Sequence, residues 1–317
     1  MTNDGSDPRH QPDSRWVDLD GPVHFLDYGG PEHGPLLVCV HGLGGSSLNW
    51  AAVAPSLAET CRVLALDLAG FGHTQSGGRS TSVHANARLL HRFLTEVAGT
   101  PAILVGNSMG GLISILQASA HPKTVAGLVL VDPALPLALR SKPDPRVVAT
   151  FGSLLVPAIG RHLMSRRREQ TSAQESALAV LRLCCADVSR VPEHVVDLHV
   201  DLATKRRDYP DVDSEMIVAA RSLMFVLADR RKIFAMQRAI EAPVLLLQGD
   251  QDRLVSIASA RAAAAANPSW RFEVAHGVGH VPQLEVPDWT IHQILNWLAE
   301  QPRATELAVG ASTPHIE

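Results

Sequence analysis

Short runs of consecutive aliphatic residues alternate along the chain with longer stretches in which apolar residues recur every three or four positions. The runs at 36–40, 62–68, 102–105, 125–131, 244–247 and 271–275 are continuous β-branched or aliphatic segments. That pattern predicts strands buried on both faces, as in a parallel sheet covered by helices. Between them, 83–97 carries Leu89, Leu90, Phe93 and Leu94 as one core-facing helical stripe, 256–266 is an alanine-rich helix, and a last helix starts at Pro282 and runs to about Leu298. Upstream, 16–20 and 23–28 flank Asp20-Gly21-Pro22, a turn signal that predicts an opening hairpin at the sheet edge. The polar tails 1–14 and 302–317 are expected to be disordered, and no internal repeat is evident.

The strand pattern is interrupted once, by an insert over 133–241. Its apolar pieces, 151–159 and 223–227, alternate with charged stretches such as Arg166-Arg167-Arg168, the signature of amphipathic helices lying over a core. The expected organisation is a core of 15–132 with 242–301, and a helical cap of 133–241 that roofs the site and sets substrate choice. The arginine run reads as a solvated face. Met224 and Phe225 are candidates for an acyl pocket.

Composition narrows the function. The chain has 317 residues, 46% hydrophobic and 19% charged, enough for one large α/β domain with an inserted smaller one. A formal net charge of −4 argues against general affinity for nucleic acid, which needs clustered positive charge. No stretch approaches the roughly 20 apolar residues that span a bilayer, so no membrane span and a cytoplasmic location are expected. The 4 cysteines lack Cys-x-x-Cys spacing and read as buried hydrophobes, and the 15 histidines show no metal-ligand spacing. No metal and no cofactor are expected.

Chemistry concentrates at the strand ends. Gly106-Asn107-Ser108-Met109-Gly110 follows the run 102–105 and opens a helix, the setting that a nucleophilic serine on a strained strand-to-helix turn requires. Glycines on either side remove Cβ atoms where strand and helix cross, and the Met109 N–H can donate to an oxyanion. The run 36–40 leads straight into His41-Gly42-Leu43-Gly44-Gly45, a loop able to supply a second donor from the Leu43 N–H. His41 reads as a brace for that loop. Serine needs a base oriented by a third group. Gly249-Asp250-Gln251-Asp252 closes one apolar run and Gly279-His280-Val281-Pro282 follows another, which makes Asp252 the candidate acid and His280 the candidate base. Asp250 is expected to hydrogen-bond its own turn. Asp132, at the end of 125–131, is the alternative acid.

These motifs, together with Asp67-Leu68-Ala69-Gly70-Phe71-Gly72, resemble those of the α/β-hydrolase fold enzymes over roughly 22–135 and 242–300. The resemblance implies an α/β-hydrolase fold: a mostly parallel eight-stranded sheet flanked by helices, with a helical cap inserted after the sixth strand. It implies Ser108 as nucleophile, His280 as general base, Asp252 as the orienting acid, and Leu43 with Met109 as backbone oxyanion donors. Trp50, Asn107, Met224, Phe225, Leu254 and Val281 are the candidate substrate-binding residues.

The expected activity is that of a serine hydrolase with an acyl-enzyme intermediate, acting on a carboxylic ester with an apolar acyl or alcohol part. The expected partner is a small-molecule acyl substrate; nothing in the sequence speaks to oligomeric state. The same machinery serves thioesterases, amidases, carbon–carbon bond hydrolases and acyltransferases, and a non-catalytic ligand-binding or signalling protein is the alternative from another class.

Overall fold

The apolar runs become strands β1 (Asp13–Asp18), β2 (Pro22–Gly29), β3 (Leu36–Val40), β4 (Arg62–Leu66), β5 (Ala102–Asn107), β6 (Val125–Val131), β7 (Val244–Gly249) and β8 (Arg271–Ala275). They form one sheet in the order β1-β2-β4-β3-β5-β6-β7-β8, with β1 and β2 antiparallel and the remaining strands parallel to one another. The computed structural model describes residues 11–138 and 144–301. The predicted tails therefore lie outside the described residues, except for 11–14.

Helices α1 (Ala54–Leu57), α2 (Val83–Phe93) and α3 (Met109–Ala120) lie between strands of the first half. The segment between β6 and β7 holds α4 (Pro145–Leu155), α5 (Pro157–Gln170), α6 (Ala173–Cys184), α7 (Glu193–Arg206), α8 (Val212–Ala228) and α9 (Arg230–Arg238). After β7 come α10 (Ile257–Ala266), α11 (Pro282–Glu285) and α12 (Pro287–Glu300). Among the described residues no single helix is long and apolar enough to cross a membrane.

Both faces of the central strands are buried, which is why their sequences are continuous rather than alternating. Val38, Val40, Leu104, Leu128, Leu130 and Leu246 point into one layer, with Phe93 of α2 and Leu112 of α3. Their neighbours Leu37, Cys39, Val105, Val129 and Leu247 point into the other, with Leu57 of α1 and Ile294 and Trp297 of α12. The four cysteines are free, and Cys39 packs as a core hydrophobe.

Three boundaries differ from the pattern reading. The first strand begins at Asp13, because Asp13 and Ser14 pair with Asp27 and Leu26 of β2; polar side chains on an edge strand give little periodicity to read. The last helix is two helices, broken at Val286 (φ −139, ψ 64), since the ring of Pro287 disfavours helical backbone in the residue before it. The same cause breaks 151–159 at Val156, where α4 and α5 meet at 120° ahead of Pro157.

Candidate functional site

β5 runs to Asn107 and α3 starts at Met109, so a single residue, Ser108, makes the turn. Its backbone sits at φ 53, ψ −119, a region costly for a side-chain-bearing residue that persists only when the surroundings over-determine it. They do so here: the Ser108 N–H donates to Val131 O (3.2 Å), and its carbonyl accepts from Leu112 N (3.1 Å) and Ala134 N (2.8 Å). A Cβ at 106 would lie 2.7 Å from the carbonyl of Gly110, and one at 110 only 2.1 Å from that of Val40. The flanking glycines are therefore steric requirements of the turn.

The loop after β3 is braced by His41, as its sequence position suggested. His41 Nδ1 donates to Gly42 O (2.7 Å) and Nε2 accepts from Leu68 N (3.1 Å). Burial pushes its pKa down, outweighing the pull of Asp67, so the ring is neutral and structural. Gly42 faces the serine: a Cβ there would come within 2.9 Å of Ser108 Cβ. Met109 occupies the first position of α3, where a helix leaves its N–H without an intrahelical partner. From α8, Met216 closes over Gly44, its Cε 3.4 Å from where a Cβ would stand.

The acid and the histidine arrive from the two loops that follow β7 and β8. His280 Nδ1 and Asp252 Oδ2 are 2.7 Å apart, with the ring donating to the carboxylate. Asp252 also takes the N–H groups of Leu254 (2.7 Å) and Val255 (3.0 Å) on Oδ1, and Gln248 Nε2 (3.1 Å) on Oδ2. Burial opposes ionisation of Asp252, but the His280 charge and hydrogen bond, with the Val255 N–H, hold its pKa below the usual value. Asp250, expected to bond its own turn, reaches instead to the loop after β8, where its carboxylate accepts from Gly277 N (2.8 Å) and His276 Nδ1 (2.8 Å).

The structure also brings Asp132 into this cluster. One donor atom each from Asp132, Asp252 and His280 lies within 4.8 Å of the others. Asp132 is fully buried at φ 44, and its Oδ1 accepts from Gln248 Nε2 (2.7 Å) and Gly249 N (2.9 Å). Burial, and then the adjacent Asp252 carboxylate, push its pKa well above the ordinary value.

Several residues that organise the site were invisible in the sequence. Gln248 sits in an apolar run, yet its amide bridges the two aspartates. Glu285, wholly buried, accepts from Gly279 N (2.9 Å), Ala186 N (3.0 Å) and Asp187 N (3.0 Å), joining the histidine loop to the insert. His280 N donates to Cys184 O (2.6 Å). Arg206 of α7 donates to Gly72 O (2.7 Å) and Gly70 O (2.9 Å), and Glu215 of α8 accepts from Ser76 N (2.9 Å). Each joins residues far apart in the chain, and no short-range pattern marks such pairs.

The candidate substrate-binding residues fall in different places. Trp50 is fully buried in the second core layer beside Cys39 and Val53. Asn107 spends its amide on the carbonyls of Val131 (3.0 Å) and His280 (3.1 Å). Leu254 is half-buried and binds Asp252 through its N–H. Val281 packs with Leu284 against Leu181, Cys185 and Val195 of the insert. Met224 is half-buried, while Phe225 is 66% exposed and borders a separate groove of about 520 Å³ with His84, Arg221 and Lys232. Of the arginine run, Arg168 pairs with Asp213 (3.2 Å).

Known proteins are similar to this chain in sequence and in fold. Human monoglyceride lipase is 28% identical over 343 aligned positions, covering 98% of this chain and 99% of that one. Human monoacylglycerol lipase ABHD6 is 24% identical over 290 positions, covering 87% and 81%. The crystal structure of Cfl2 from Burkholderia cenocepacia superposes with a TM-score of 0.78 at 20% identity, covering 92% of this chain and 97% of that one, a likeness of fold. The family model for the alpha/beta hydrolase fold matches residues 35–287. That span takes in the serine turn, the insert and both loops bearing Asp252 and His280, and on it this chain belongs to the α/β-hydrolase fold family.

Proposed function

We propose that this chain is a serine ester hydrolase for substrates with an apolar acyl part, using Ser108, His280 and Asp252 as its triad. The observation that carries this reading is the strained Ser108 turn (φ 53), whose neighbour Asn107 bonds the carbonyl of His280 (3.1 Å) while His280 holds Asp252 at 2.7 Å. Two relatives, one named a monoacylglycerol lipase and one a monoglyceride lipase, support the choice of a carboxylic ester.

In this mechanism Asp252, ionised, keeps the His280 proton on Nδ1 and leaves the Nε2 lone pair free for the Ser108 hydroxyl. Ser108 Oγ attacks the ester carbonyl carbon as its proton passes to His280 Nε2. The oxyanion takes the N–H groups of Met109 and Leu43, and the positive end of α3 adds to the stabilisation. The tetrahedral species expels the alcohol, which receives the proton from His280. Water, deprotonated by the same ring, then releases the acid from Ser108.

The segment 133–241 acts as a cap on the 15–132 and 242–301 core, with Met216 above the oxyanion loop and 184–187 braced on the histidine loop. Support for this comes from the bonds of Arg206, Glu215 and Glu285 that cross between the two parts.

The test compares wild type with Ser108→Ala, using a fluorophosphonate probe, p-nitrophenyl esters of increasing chain length and a monoacylglycerol. Labelling and hydrolysis in wild type, both lost in the variant, are expected. A folded wild type that neither labels nor hydrolyses any of these esters would overturn the reading in favour of a non-catalytic ligand binder.

A further inference from the structure

Asp132 is not used in that mechanism, yet it lies at its centre. Its Oδ1 is saturated by Gln248 Nε2 and Gly249 N, while Oδ2 is buried without a donor directed at it. Asp252 is the better acceptor of the pair, with two N–H donors on Oδ1 and two on Oδ2 holding its negative charge. Two ionised carboxylates in this dry pocket would repel strongly, and Gln248 can neutralise neither. The other titratable groups nearby make matters worse or leave them unchanged: Glu285 of α11 adds negative potential, and the Cys184 thiol is held neutral by burial and by Asp252. His280 offers Asp252 one N–H and none to Asp132.

We infer that Asp132 is a positioning residue that keeps a proton on Oδ2 and donates it to Asp252, so that the carboxyl pair carries one negative charge and Asp252 is clamped toward His280. This rests on the proposed triad. The proton stays on Asp132 throughout; the proton that moves in turnover travels from Ser108 to His280 and on to the leaving alcohol. The raised pKa of Asp132 and lowered pKa of Asp252 agree in sign with a donor and an acceptor sharing one proton. The strained backbone of Asp132 (φ 44), fixed by its N–H on Leu247 O (2.8 Å), aims the side chain at the pair.

The test uses the full chain with Asp132→Asn, Asp132→Ala and infrared difference spectra. Asparagine keeps a neutral donor, so Asp132→Asn is expected to hold kcat within about threefold of wild type, with the acid limb of kcat/KM unmoved. Asp132→Ala removes the donor and is expected to lower kcat about 10- to 100-fold at similar KM, the range found when an orienting partner is lost. Wild type at neutral pH should show a protonated carboxyl C=O band that disappears in Asp132→Asn. Stability should follow suit: a carboxyl whose folded pKa is raised weakens the fold as pH climbs above about 4, so Asp132→Asn should resist urea better than wild type at neutral pH and lose that advantage in acid. A missing carboxyl band, or an acid limb moved down by about one unit in Asp132→Asn, would overturn the proposal by showing Asp132 ionised. The infrared and urea measurements need neither turnover nor a folded alanine variant. Failure of the triad assignment would instead appear as activity surviving Ser108→Ala, with the carboxyl band unaffected.

Discussion

The side-chain amide of Asn107 donates to the backbone carbonyl of His280 across 3.1 Å, joining positions 173 residues apart. The residue beside the candidate nucleophile thus holds the loop that carries the candidate base. Asn107→Ala leaves a buried carbonyl unpaired, at a cost of about 1–3 kcal/mol. Because the loss falls on geometry between Ser108 and His280, kcat should drop about tenfold or more while KM changes little. Steady-state kinetics with urea denaturation checks both; an unchanged kcat would show that the loop is positioned without this bond.

Glu285 gathers three backbone N–H groups, from Gly279, Ala186 and Asp187, with Arg190 at 3.4 Å. Glu285→Ala removes a buried charge that these donors surround, and should destabilise the protein by about 3 kcal/mol. Protease cleavage is expected to appear near 184–192 before the core is attacked. Cleavage that appears first in the core would show that the insert is held by other contacts.

His41 is buried neutral, with its pKa depressed. The unfolded chain therefore takes up protons that the folded ring refuses, so the stability His41 confers is present above about pH 6.5 and is lost as pH falls below it. His41→Asn should lower stability at about pH 8 by about 1–3 kcal/mol, through the lost partner of Leu68 N, and should flatten the decline toward about pH 5. His199 and His73, also depressed by burial, keep the remaining slope. Urea midpoints at the two pH values measure it, and an equal slope in both proteins would contradict the assignment.

Met216 reaches from α8 to Gly44 of the loop after β3. Met216→Ala should widen the space above the oxyanion loop and shift the preferred p-nitrophenyl ester toward a bulkier acyl group. The stability cost should be about 1 kcal/mol, since the side chain is only partly buried. An unchanged chain-length profile would place the acyl group elsewhere.

Much of this protein was legible from local pattern. The continuous aliphatic runs became central strands because both faces of β3, β5, β6 and β7 are covered. Ser108, His41, Asp252 and His280 were singled out because tight strand-end turns demand glycine and a few polar residues at short spacing, and those demands are written within five or six consecutive positions. Prolines at 157 and 287 carried the helix breaks as well, although the apolar stripes running through them masked the signal.

What the sequence determined by itself was therefore each piece whose physics is local: strand and helix periodicity, the glycine-framed serine turn, and the chain order of Ser108, Asp252 and His280 at strand ends. Only the tertiary structure decided how those pieces are held. Gln248 between two aspartates, Asn107 on the histidine loop, Glu285 and Arg206 between insert and core, and the burial of Asp132 beside Asp252 all join distant positions. A polar side chain in an apolar run looks the same in sequence whether it meets water or a second carboxylate. Its charge state and role follow from which groups the fold brings within a few ångströms and from how completely water is excluded there.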